Sequence, residues 1–119
     1  MTQHELDKRM ALEREVVSKL IEVAAKHGYA ITKVDDGEER VKCSTPQEAI
    51  DAVFSVDESL MLFKHPDQPK VHCAFIVLGN DGHDAIADHS LGEGWDDVMA
   101  EVSAFCDVKE EEVWGEKSW

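Results

Sequence analysis

The segment KVHCAFIVLGNDGHDAIADHS, residues 70–90, decides the fold. Its first half is apolar on both alternating sets. Val71, Cys73, Phe75 and Val77 form one, and His72, Ala74, Ile76 and Leu78 the other. A strand with two apolar faces is covered on both or flanked on both sides, so this one is expected at the centre of a sheet. Asn80-Asp81-Gly82 supplies turn chemistry, and HDAIADHS then returns antiparallel. Upstream, SLMLFKH reads as the preceding strand. Pro66 and Pro69 lie in the connecting loop, because an interior proline would remove a ladder donor. The three strands form a meander.

Downstream, a helix begins near Gly94. Trp95, Val98, Met99, Val102, Phe105 and Cys106 recur at spacings of three and four and define its apolar face. Asp96, Asp97 and Glu101 fall on its wet side, and the first two also suit the exposed amides of the first turn. Beyond Asp107 the chain reads as a short polar terminus, free to move from about residue 108, with Val113, Trp114 and Trp119 as apolar anchors.

Toward the N-terminus, Thr45-Pro46 and Glu48 spell a capped helix start, followed by Ile50, Val53 and Phe54 on its buried side. YAITKV and ERVKCS flank Asp36-Gly37 as a hairpin, with Arg40 and Lys42 outward and Val41 and Cys43 inward. The first helix spans about Glu5 to His27. Its apolar stripe runs through Leu6, Met10, Val17, Leu20, Ile21 and Ala24, with Glu13 interrupting it and Gly28 as a left-handed stop. The expected order is α-β-β-α-β-β-β-α. Residues 1–119 make one α+β domain, a mainly antiparallel sheet with helices on one face.

The chain carries 26 acidic and 12 basic residues, a formal net charge of −14, and residues 81–119 alone hold −10 of it. Such a field opposes direct binding to nucleic acid and favours partners with basic surfaces. No apolar run is long enough to span a bilayer and none resembles a leader, so the expected location is the cytoplasm. Cys43, Cys73 and Cys106 are too widely spaced to suggest a disulfide framework or a zinc knuckle, and they read as small buried thiols.

Chemistry, if present, belongs to His72, His83 and His89 with Asp84 and Asp88. These are the side chains from which a metal site or a small enzyme would have to be built. Their grouping depends on register. If Asp81 and Gly82 are the two turn residues, His89 faces Ala74 and shares a face with His72; a slip by one puts it opposite Cys73. On a regular strand Asp84 and Asp88 would share the face of Ile86, roughly 13 Å apart, too far to act across one glycosidic bond. No glycine pattern suits a nucleotide, no acidic spacing suits an EF-hand, and no cofactor is expected.

The reading that follows is a small non-catalytic accessory, adaptor or inhibitor whose acidic surface binds a basic protein. The surface is drawn from Asp84, Asp88, Asp96, Asp97, Glu101, Glu110, Glu111 and Glu112, with Trp114 and Trp119 as anchors. A sharper form is a nucleic-acid mimic, which needs those carboxylates in one continuous track. Homodimerisation through the first helix or a sheet edge stays open.

Overall fold

Helix α1 (Gln3–Lys26) begins at Thr2, whose hydroxyl accepts the Glu5 N–H while the Glu5 carboxylate accepts the Thr2 N–H. This reciprocal pairing satisfies two otherwise orphaned donors. The computed structural model describes residues 2–115. Gly28 stops the helix at φ +91°, a region that costs a side chain and not a glycine.

The remaining elements are β1 (Ala30–Asp35), β2 (Arg40–Lys42), α2 (Pro46–Val53), β3 (Glu58–Lys64), β4 (His72–Val77), β5 (Ile86–His89) and α3 (Trp95–Trp114). The fold is a single α+β domain in the expected order. All strand pairings are antiparallel, and the sheet runs β2-β1-β3-β4-β5. β4 is therefore flanked on both sides but is not the central strand. That place belongs to β3, which joins the hairpin to the meander. The two apolar sets of β4 also differ in burial: His72, Ala74 and Ile76 are enclosed, whereas Cys73, Phe75 and Val77 are half-exposed.

The enclosed face continues across the sheet through Met61 and Phe63 to Val34. α1 touches both α2 and α3, so the three helices form one layer over this face. The core is their shared interior, where Leu12, Val16, Val17, Leu20, Trp95, Val98 and Val102 have almost no exposure. α1 buries Val17, Leu20, Ile21 and Ala24 of the stripe drawn from its sequence, but its N-terminal half uses Leu12, Glu13 and Val16 in place of Met10. Met10 is 48% exposed, while Leu12, Val16, Leu20 and Ala24 make one buried row and Glu13, Val17 and Ile21 the next. Both rows keep the four-residue spacing of a helix face, so Glu13 lies within the stripe and does not interrupt it.

Thr45 caps α2 as expected, accepting the Glu48 N–H, with Glu48 returning to the Ser44 N–H. Ala49 and Val53 are its enclosed residues; Ile50 and Phe54 are half-buried. In the hairpin Cys43 is buried, but Val41 is 37% exposed because β2 is a short edge strand beyond the helices.

α3 continues past Asp107 to Trp114, where a short polar terminus was expected. The cause is α1, which runs antiparallel beside it. Lys26 and His27 meet Glu101, Lys109 reaches Glu15, and Lys8 lies over the Trp114 ring. The Trp114 indole also donates to the Asp81 carbonyl. Among the described residues no helix is long and apolar enough to cross a membrane.

Candidate interaction site

The connection from β4 to β5 is not a two-residue turn. Residues 78–85 form an eight-residue loop, and a bulge at Ala87 separates the Ile76–Ile86 pair from the Phe75–Asp88 pair. His83 and Asp84 consequently lie in the loop and not on a strand. Asp84 folds back to accept the N–H groups of Asp81 and Gly82, a local bond that short carboxylates favour over a sheet ladder. The bulge also overturns the expectation that Asp84 and Asp88 flank Ile86 on one face. Asp88 opposes Phe75 on the open side of the sheet, while Ile86 opposes Ile76 on the helix side.

His89 opposes Ala74 and so shares the helix side with His72, as one of the two registers required. The two rings nevertheless serve different surroundings. His72, 2% exposed, stacks on Trp95 with centroids 5.3 Å apart and planes 11° from parallel, and Tyr29 meets it edge-on. Its Nδ1 lies 3.2 Å from the Ser90 hydroxyl, which accepts the Cys73 N–H. Gly92 lies against the same ring so closely that any Cβ there would collide with it. His89 instead donates from Nδ1 to the Ser90 carbonyl at 2.7 Å.

Burial, reinforced by the Lys70 charge, pushes His72 below its ordinary value of 6.5. A histidine whose folded pKa is lowered binds fewer protons folded than unfolded, so acid favours the unfolded chain. Stability from neutral His72 is complete above about pH 6.5 and is lost as pH falls from there through the lower folded pKa. Urea midpoints of wild type and His72→Gln at pH 7.5 and 5.5 test this. Wild type is expected to lose more stability than the variant on acidification; equal losses would remove His72 as the cause.

The other named side chains gather along a groove between β5 and α3. Its volume is about 410 Å³. Ile86, Met99, Val102 and Cys106 supply apolar lining, and the exposed Asp84, Asp88 and Asp107 stand along it with His83 and His89. His83 Nε2 lies 3.4 Å from Glu110, and its Nδ1 is buried without a hydrogen-bond partner. Burial with Asp107 and Asp84 nearby pushes the Cys106 thiol up to about 11, which leaves it protonated and a poor nucleophile. Among the described residues no three His, Cys, Asp or Glu side chains are placed to hold a metal ion. His72 stays outside the groove, beside a separate hollow at Gln68, Lys70 and Gly92–Gly94.

The remaining acids divide between paired and unpaired. Lys26, with His27 beside it, holds the Glu101 carboxyl below the usual carboxylate range. Glu112 meets Lys109, and Asp96 accepts the Gly92 N–H. Asp97 and Glu111 are exposed on α3, Trp114 is half-buried at its end, and Trp119 lies outside the described residues. β5 is an edge strand, but its outer side is blunted because Asp88 accepts the His89 N–H. An incoming chain therefore meets side chains there before backbone.

Sequence reasoning found Asp84 and Asp88 but neither Asp107 nor the groove they share. The missing signal was the bulge, which the glycine-rich turn and the Ala-Ile-Ala run do not specify. No family model matches the chain, and no curated protein or solved structure is significantly similar to it.

Proposed function

We propose that this chain is a small non-catalytic interaction protein that binds a basic partner through the groove between β5 and α3. The observation that carries this reading is a groove with half-exposed Ile86 on its wall and buried Met99 and Val102 on its floor, edged by the exposed carboxylates of Asp84, Asp88 and Asp107. Apolar burial supplies affinity for one side of an incoming segment, and the carboxylates select lysine or arginine beside it. The pairing of Glu101, Glu110 and Glu112 within the chain favours a localised groove over the long bare track that a nucleic-acid mimic needs. A cytoplasmic location accords with the three unpaired thiols. Dimerisation is not required by this reading, since α1 buries its stripe within its own chain.

The test compares immobilised wild type with an Asp84→Asn/Asp88→Asn/Asp107→Asn variant in capture from native lysate at low and high salt. Asparagine keeps the acceptor oxygen that Asp84 gives to its turn, so the variant is expected to fold. A basic protein should be retained by wild type, released by salt and absent from the variant. Equal retention by both, or no basic protein with wild type, would refute the reading.

A further inference from the structure

The side of the sheet away from the helices carries a second surface of opposite character. Leu60 opposes Phe75 and Leu62 opposes Cys73, with Val77 and Val71 extending the strip along β4. These residues project away from the layer formed by α1, α2 and α3, and no helix covers them among the described residues. Sheet faces of this composition are normally buried against another element. Val71 is 46% exposed, Leu60, Cys73, Phe75 and Val77 are half-exposed, and Leu62 between them is 7% exposed.

Cations border the strip. Across the sheet one row reads Lys42, Lys33, Leu62, Cys73, and the next reads Arg40, Asp35, Leu60, Phe75, Asp88. A hollow of about 590 Å³ on this face is lined by Lys33, Arg40, Lys64, Leu62, Val71 and Cys73 with Thr32. Three of its residues are cationic and none is acidic, in a chain with 26 acids and 12 bases. Arg40 has Asp35 at 3.2 Å. Lys33, Lys42 and Lys64 have no carboxylate within ion-pair distance among the described residues. Lys33 and Lys42 also stand directly opposite one another, an arrangement that destabilises a strand pair. Elsewhere Lys19 and Lys26 of α1 and Lys109 of α3 have found glutamates. Lys33, Lys42 and Lys64 thus lack ion-pair partners, although Asp35 and Glu58 share the face with them.

We propose that the open face of the sheet docks an acidic amphipathic helix from a partner protein. Its apolar stripe would lie along β3 and β4, over Leu60, Leu62, Phe75 and Cys73. Three rows of residues along a strand span roughly 13 Å, the length of a little over two helical turns. The charge order fixes the sides. Glutamates or aspartates belong on the flank facing Lys33, Lys42 and Lys64, and a neutral or basic flank faces Asp88 on the opposite border and Glu58 beside Val77. A helix added here completes a helix-sheet-helix sandwich and supplies the missing carboxylates. This inference is independent of the β5–α3 groove and uses none of its residues but Asp88.

The probe is a fluorescent synthetic peptide with a leucine stripe and glutamate flanks, compared with the same stripe flanked by lysine. Binding is read by anisotropy at physiological ionic strength, where the Debye length of about 8 Å screens the acidic helices across the domain. Wild type should prefer the acidic peptide by at least about tenfold. A Lys33→Glu/Lys64→Glu variant should lose that preference and gain affinity for the lysine-flanked peptide. Its melting temperature should not fall, because glutamate at position 33 faces Lys42. Equal affinity of wild type for both peptides, no binding of the acidic one, or an unchanged preference in the variant would overturn the proposal. So would a self-dimer in light scattering that the double substitution dissolves, since the occupant would then be a second copy.

Discussion

Trp95→Ala should destabilise the domain by about 3–5 kcal/mol, the range for emptying a buried aromatic site. Trp95 is the first residue of α3 and has no exposed surface. Its ring stacks on His72, meets Tyr29 edge-on at 5.2 Å and tilts against Phe63 at 5.0 Å. It therefore joins α3 to three other parts of the core: the end of the α1–β1 connection, the central strand and β4. Collapse into the space it leaves is hindered, because β3 and β4 hold their side of it rigidly and Gly92 already lies against His72. Domains of this size are stable by only about 5–15 kcal/mol, so a sizeable part of the variant population should be unfolded at 37 °C. Urea denaturation followed by far-UV circular dichroism measures the loss; a cost under about 1 kcal/mol would contradict the packing described. Trp95→Phe should be much milder. The indole N–H is buried without a hydrogen-bond partner, so phenylalanine removes an unsatisfied donor while retaining most of the ring contacts.

Trp95 also illustrates what was legible in the sequence. Its place at the head of an apolar three-and-four pattern identified it as core, and the capping residues Thr45, Pro46 and Glu48 placed α2. Local signals of this kind act within one turn and survive tertiary context. Strand order is a different matter. β4 is the more apolar strand, yet β3 is central, because centrality depends on which strand receives the β1–β2 hairpin from far upstream. The Ala87 bulge was equally hidden. It sets Asp88 opposite Phe75 on the edge strand, where it borders both the β5–α3 groove and the open face of the sheet. Of the cations on the open face only Arg40 and Lys42 were visible, as outward residues of a hairpin, since the gathering of Lys33 and Lys64 with them requires the strand registers.

Glu13 gives the clearest case in which burial reverses a sequence reading. As an interruption of an apolar stripe, it should be improved by leucine. In the folded chain it is 2% exposed, its Oε2 accepts the Gly79 N–H at 2.7 Å, and its Oε1 lies 3.7 Å from Arg9 Nε. Arg9 Nε is itself buried and has no hydrogen-bond partner, so the nearby carboxylate is its principal compensation. The contact ties α1 to the start of the β4–β5 loop, 66 residues away in sequence. Glu13→Leu should therefore destabilise, by about 2–3 kcal/mol, because a part-buried amide and a partly buried guanidinium lose their acceptor together. Glu13→Gln keeps an oxygen for Gly79 and removes only the charge facing Arg9, so its cost should be about half as large. Arg9→Met combined with Glu13→Leu should cost less than the sum of the single changes, since the double variant strands no buried cation. Urea midpoints for the four proteins decide the matter. Stabilisation by leucine alone, or strict additivity of the pair, would show that Glu13 interrupts the stripe after all and that its contacts with Gly79 and Arg9 contribute nothing.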